Sequence, residues 1–150
     1  MQVLVQRVQE ATCEIKGRPV STIGRGFVLF VSFHQSDTAL LIPKMAQKVA
    51  KLRVFEDEAG KMNRALIDQN YEALSISQFT LEGNTDKGNR PSFTEALNPD
   101  QAEMFYHLFN EALEKEGVRV KTGQFGAVMQ IQLVNDGPVT LLLKRMHNHD

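Results

Sequence analysis

One segment restricts the possible folds more than any other. From Asn98-Pro99 onward, apolar residues return at helical spacing: Met104, Phe105, Leu108, Phe109, Ala112 and Leu113. Asparagine is a preferred N-cap, proline fits the first helical position, and Gly117 closes the run. Such a helix carries one oily stripe and must bury it against another element. Its neighbours read as strands. Residues 1–7 alternate, with Met1, Val3 and Val5 on one face and Arg7 continuing that face. Residues 12–15, the turn Gly17-Arg18-Pro19 and residues 27–33 suggest further strands joined by tight turns. A second helix is predicted over 39–52, with Ser36-Asp37 as its cap and Leu41, Ile42, Met45, Val49 and Leu52 near helical spacing. Pro43 lies early enough in it to be tolerated. A short strand at 53–55, an acidic turn at 56–60, a stronger strand at 73–81 and strands at 118–121, 127–134 and 139–143 complete the pattern. The expected fold is α+β: a largely antiparallel, barrel-like sheet with two main amphipathic helices, rather than regular βαβ winding.

At 150 residues the chain suits a single domain, 1–150, with 144–150 expected as a flexible tail. The 17 Lys plus Arg against 18 Asp plus Glu leave a net charge of -1, which excludes a strongly basic nucleic-acid coat and an acidic solvating tail. One cysteine, Cys13, excludes an internal disulfide framework and a cysteine zinc cluster. The start lacks the apolar run of a signal peptide, and no stretch approaches the ~18 apolar residues of a membrane span, so a cytoplasmic address without a membrane partner is expected. Nucleophile-elbow, phosphate-loop and His-Glu-x-x-His signatures are absent. Cys13 and His107 read as packing or solvated residues. His147 and His149 belong to a polar end, and Glu56-Asp57-Glu58 lacks the alternating ligands of a calcium loop. Neither metal nor cofactor is expected.

Three places resist a bland reading. On a period-two strand, Leu74, Ile76, Gln78 and Thr80 share one face, which begins apolar and ends polar. Those polar groups either meet water at an edge or rim a pocket. Asn135-Asp136-Gly137-Pro138-Val139-Thr140 lies between two strong strands. It reads either as a hairpin turn or as a rigid backbone device, since proline makes a cis peptide accessible and glycine leaves the carbonyls unshielded. Thr85-Asp86-Lys87-Gly88-Asn89-Arg90-Pro91-Ser92-Phe93 is a polar loop, either plain surface or a phosphate-touching lip carrying Lys87 and Arg90. Arg7 is a smaller anomaly. A charge at the end of an apolar face needs an acceptor if buried, and backbone carbonyls suit its planar fork.

Taken together the motifs resemble the D-aminoacyl-tRNA deacylases of the bacterial and eukaryotic type, the D-tyrosyl-tRNA deacylase family. The matching residues are Gln6-Arg7-Val8, Gly60-Lys61-Met62-Asn63, Ser77-Gln78-Phe79-Thr80-Leu81 and Arg90-Pro91-Ser92-Phe93. Thr122-Gly123, Phe125, Ala127, Met129 and Asn135-Asp136-Gly137-Pro138-Val139-Thr140 follow in the family's order. The chain departs at Ser32, where the family often has glycine, and beyond Leu143.

The resemblance implies a homodimer with active sites at the subunit interface, acting on the 3′ acceptor end of aminoacyl-tRNA. The ester of a D-amino acid would be hydrolysed as chiral proofreading, and glycyl-tRNA would also be cleaved. A cis Gly137-Pro138 pair would enter the partner's site and present carbonyls to the substrate's α-carbon, rejecting L side chains by collision. Ser77, Gln78, Phe79 and Thr80 would form the catalytic segment, with N–H groups around Phe79 and Thr80 holding the oxyanion and the terminal ribose 2′-hydroxyl assisting water. A Thr80 hydroxyl nucleophile is the competing mechanism. Arg7, Phe125, Ala127 and Met129 would shape the substrate site, and Lys87 and Arg90 would meet tRNA phosphates. Two rivals remain: a relative acting on achiral or L-mischarged tRNA, and a noncatalytic dimeric RNA-binding adaptor of the same fold.

Overall fold

The first strand, β1 (Gln2–Ile15), is 14 residues long and joins two segments that the sequence suggested separately. Its continuity comes from pairing on both edges. Along one edge run β2 (Arg18–Ile23) and β3 (Gly26–Ser32), reached through a two-residue turn in which Lys16 and Gly17 both take positive φ. β2 and β3 follow one another along that edge, from Ala11 opposite Ile23 to Val8 opposite Gly26 and Gln2 opposite Ser32. The computed structural model describes residues 1–146; His147 and His149, assigned to the polar tail, lie outside the described residues.

Beyond β3 come α1 (Leu41–Ala50), a ribbon of β4 (Phe55–Glu56) and β5 (Met62–Arg64), the short α2 (Leu66–Gln69), and then β6 (Glu72–Ser77). A 3₁₀ turn (Phe79–Glu82) follows, then α3 (Pro99–Lys115), β7 (Arg119–Thr122) and β8 (Gln130–Lys144). β6 runs parallel to β3, and β7 parallel to β6. The expected largely antiparallel sheet is therefore corrected to a mixed one. Its two parallel steps use the long crossovers such pairing requires, one carrying α1 and the other α3. Side chains draw β7 back toward β2, with Lys121 Nζ donating to Thr22 O at 2.7 Å and Ser21 Oγ to Thr122 O at 2.6 Å, so the sheet nearly closes into a barrel.

Two further corrections matter for the site. The strand expected over 73–81 stops at Ser77, where Gln78 (φ -141°, ψ 73°) turns the chain into the 3₁₀ turn, so Gln78 and Thr80 share no strand face. The hairpin reading of 135–140 also fails. β8 is one strand along the outer edge of β1, and residues 136–139 bulge opposite Arg7, between the pairs Gln6–Thr140 and Val8–Asn135. The expected tail begins as ordered chain, since Lys144 ends β8 and Arg145 N donates to Met1 O at 2.9 Å.

Two buried cores lie against the sheet, while β8 stays largely exposed. α1 and α3 pack on one face of the sheet, burying Leu41, Met45, Val49, Phe105, Phe109 and Leu113 against Val3, Val5, Phe27 and Leu29. Val8, Ala11, Cys13, Ile23, Val28, Leu74 and Ile76 form a second core. Ser36-Asp37 does not cap α1, because the Asp37 carboxylate accepts from His34 N at 2.7 Å and pairs with the Met1 amino group. α3 begins as the sequence indicated, with Asn98 Oδ1 accepting from Gln101 N at 3.0 Å. Its buried face is rotated slightly from the expected stripe: Tyr106 is inside while Met104 and Leu108 are exposed. Replacing Asn98 by alanine removes the cap and is expected to cost ~1 kcal/mol, read as a Tm about 2–4 °C lower. No helix among the described residues is long and apolar enough to cross a membrane.

Candidate active site

The end of β6, the 3₁₀ turn, the start of α3 and the segment leading into β8 enclose a cavity of about 590 Å³. Ser77, Gln78 and Phe79 line it, together with Phe125, Ala127 and Met129, so six of the expected site residues meet there although about fifty residues of chain separate the two groups. No ionisable side chain lines this cavity among the described residues. Its polar groups are hydroxyls, amides and backbone. In such apolar surroundings, fixed N–H dipoles act more strongly on a developing negative charge than they would in water.

Local chemistry sets the shape of the catalytic segment. Gln78 N donates to Val31 O at 2.7 Å, which ties the end of β6 to β3. The turn is closed by Leu81 N donating to Gln78 O at 3.2 Å and Gly83 N to Thr80 O at 3.0 Å. The N–H groups of Phe79 and Thr80 open the turn, where a helix has no internal acceptor for its first donors. Phe79 is 55% exposed, with its ring edge-on to Phe93 at 5.3 Å between centroids. Thr80 follows Phe79 in the turn but does not itself line the cavity; it is exposed, and its Oγ1 accepts a short hydrogen bond from Gln78 Nε2. That partner is an amide donor with no basicity.

On the other wall, Met129 packs close because residue 123 is glycine. A Cβ there would stand 2.5 Å from Met129 Sδ and 3.3 Å from Cys13 Sγ. Burial pushes the Cys13 thiol above its ordinary pKa, which keeps it protonated and inert. Burial likewise raises the phenol of Tyr106, whose hydroxyl donates to Ser75 O at 2.6 Å behind Ile76 and Ser77.

Gly137, Pro138 and Arg7 lie elsewhere. They do not line the cavity of their own chain. The Gly137–Pro138 peptide is cis, and Gly137 has φ +121°. Arg7 is only 4% exposed and braces this bulge from below: Nε donates to Asp136 O at 3.0 Å and Nη1 to Val54 O at 2.6 Å, while the carboxylates of Asp136 and Glu56 stand 3.5 and 3.8 Å away. Backbone carbonyls are thus the acceptors its buried charge needed. Lys87 and Arg90 are exposed in a loop pinched shut by the reciprocal pair Asn84–Ser92, 2.7 and 2.9 Å. The loop's base leads into Phe93, which touches Phe79.

Several lining residues had no sequence signal of their own. Asn98 and Pro99 read only as helix punctuation, and Ala102 as an ordinary helical residue, yet all three line the cavity. Glu56-Asp57-Glu58 proves to be a turn organised by Asp57, whose carboxylate accepts from Lys61 N, Ala59 N and Asn63 Nδ2. These bonds, that from Lys61 first, hold its pKa below the ordinary value.

Comparison with known proteins gives one consistent result. The family model described as D-Tyr-tRNA(Tyr) deacylase matches residues 4–144. A D-aminoacyl-tRNA deacylase of Lactobacillus acidophilus is 50% identical over 143 residues, 95% of this chain and 99% of the relative. One of Exiguobacterium sibiricum is 50% identical over 145 residues, covering 97% and 100%. Among solved structures, that of a c-Myc DNA Unwinding Element Binding Protein superposes with a TM-score of 0.91 at 43% identity, covering 97% of this chain and 99% of the other. Another, a probable eukaryotic D-amino acid tRNA deacylase, shares the fold with a TM-score of 0.83 at 16% identity, covering 95% and 97%.

Proposed function

The chain belongs to the D-Tyr-tRNA(Tyr) deacylase family, and from that premise we propose that this D-aminoacyl-tRNA deacylase works as a cytoplasmic chiral proofreader built on backbone atoms. As a hydrolase acting on aminoacyl-tRNA, it cleaves the ester at the 3′ end of the tRNA. Water adds to the ester carbonyl, the bond to the ribose 3′-oxygen breaks, and that oxygen takes the proton. Free amino acid and tRNA leave.

The observation that carries the mechanism is a cavity without an ionisable side chain beside a turn that opens on two N–H groups. Side-chain acid–base catalysis needs a titratable group within reach, and none lines the cavity among the described residues. The N–H groups of Phe79 and Thr80 hold the oxyanion as it forms, and the substrate's own 2′-hydroxyl orients the attacking water. An activated ester asks less of a catalyst than an amide does.

Selection by handedness falls to Gly137 and Pro138 of a second subunit. Two features support a homodimer. In its own chain the bulge does not line the cavity. And among the described residues β8 pairs with β1 alone, leaving the other edge of a 15-residue strand open beside exposed Val134, Leu141 and Leu142. A long uncovered edge of this kind invites pairing. Seated in the partner's cavity, the carbonyls of Gly137 and Pro138 face the α-carbon, where an L side chain collides and a D side chain points out. Glycine has nothing to collide and is cleaved too. Lys87 and Arg90, exposed on the loop that leads into Phe93, would meet acceptor-stem phosphates, and weak, salt-dependent binding is expected at a net charge of -1.

Purified protein mixed with D-Tyr-tRNA, L-Tyr-tRNA and Gly-tRNA tests the reading. Release from the D form at least about 100-fold faster than from the L form, or ~2.8 kcal/mol of discrimination, is expected. Release from the L form alone would move the assignment to a relative acting on mischarged L-amino acids. Release from none would favour a noncatalytic nucleic-acid-binding protein, an alternative worth testing because the 43%-identical structure is that of a protein named for binding a DNA unwinding element.

A further inference from the structure

We infer that Glu82, held by Ser32, is a positioning residue for the catalytic turn, an assignment that rests on the deacylase reading above. Two consecutive residues of β3 grip the two ends of the 3₁₀ turn. Val31 O accepts from Gln78 N at 2.7 Å at the entrance. At the exit, Ser32 Oγ donates to Glu82 Oε1 at 2.8 Å, and Gln2 Nε2, from β1, donates to the same oxygen at 3.2 Å. Ser32 is 1% and Glu82 6% exposed. A buried carboxylate is costly unless it is hydrogen-bonded, and bonds to a charged acceptor are the stronger kind. The contact therefore fixes where residue 82 sits, and through three peptide units it fixes Phe79 and Thr80.

Glu82 does not touch the substrate cavity. It lines a separate one of about 310 Å³ with Met1, His34 and Asp37, whereas Ser32 lines the first. Its influence on the reaction passes through the turn. Oxyanion donors work only when held about 2.7–3.1 Å from the place the charge develops, so a turn gripped at one end alone loses part of their effect.

The test compares Glu82→Leu, which removes the acceptor, with Glu82→Gln, which keeps an oxygen for Ser32. Amide hydrogen exchange is followed at Leu81 and Gly83, whose N–H groups close the turn, together with kcat and KM on D-tyrosyl-tRNA. For Glu82→Leu, exchange about tenfold faster at those amides and a kcat about tenfold lower are expected, with KM within about twofold. Glu82→Gln should recover both readouts to within about twofold of wild type. Ser32→Gly should move both in the direction of the leucine variant, and it replaces that variant if the latter does not fold. An active Glu82→Leu with wild-type exchange overturns the positioning role. So does an equal loss in Glu82→Gln and Glu82→Leu. A wild-type protein inert toward D-tyrosyl-tRNA sinks the deacylase reading instead.

Discussion

Gly137→Ala is expected to lower kcat/KM on D-tyrosyl-tRNA by about 100-fold and to shrink the preference for D over L, while the protein stays folded. The reason is local crowding. A Cβ at residue 137 would stand 2.9 Å from Arg7 Nη2, 3.0 Å from Val139 Cγ2 and 3.2 Å from Val139 N, at a φ of +121° that side chains rarely adopt. Arg7 cannot simply swing away, because Nη1 and Nε are engaged by the carbonyls of Val54 and Asp136. The bulge must move instead. If its carbonyls form the wall that senses the α-carbon, a displacement of about 1 Å costs on the order of 100-fold. Backbone strain at such a φ is worth ~1–2 kcal/mol, so Tm should fall by only about 2–8 °C. Steady-state kinetics with both enantiomers and a thermal melt read the two effects separately. A variant with the wild-type rate and wild-type D-to-L ratio would remove the Gly-Pro bulge from the substrate site.

How far the sequence reveals this arrangement depends on whether the controlling contact is local. α3 was legible because its cap, its first-turn proline, its apolar period and its closing glycine all lie within twenty residues of one another. Arg7 was legible as a problem: a charge at the end of an apolar face must find acceptors, and carbonyls supply them. Other features depend on partners far away in the chain. β1 reads as two pieces until β8 is seen pairing with it from Gln2 to Glu14. The parallel alignment of β3, β6 and β7 is decided by two crossovers rather than by any strand's own pattern. Alternation continues through Gln78 and Thr80 although the strand ends at Ser77, because the turn is imposed by β3 and by a buried contact fifty residues away. Gly137-Pro138 illustrates the same limit. A glycine-proline pair between strands normally turns the chain back, yet here β1 is long enough to pair with both flanks, and the pair becomes a bulge in one strand.

The choice between an assisting 2′-hydroxyl and a threonine nucleophile rests on which group can manage a proton. A hydroxyl nucleophile needs a base beside it. Thr80 Oγ1 instead accepts from Gln78 Nε2, and the cavity lining contributes no histidine, carboxylate or amine among the described residues. The 2′-hydroxyl of the terminal adenosine is adjacent to the ester by covalent structure and arrives with every substrate. A D-tyrosyl-tRNA ending in 2′-deoxyadenosine, acylated on its 3′-oxygen, should therefore bind with nearly unchanged KM and turn over about 100- to 10,000-fold more slowly, the range that a positioned proton-transfer group supplies. Thr80→Ala should reduce kcat by no more than about fivefold, because alanine keeps the backbone N–H that we propose as an oxyanion donor. The two substitutions share no atom, so their outcomes are independent. Full-rate cleavage of the deoxy substrate together with an inactive, substrate-binding Thr80→Ala would reverse the assignment and make Thr80 the nucleophile.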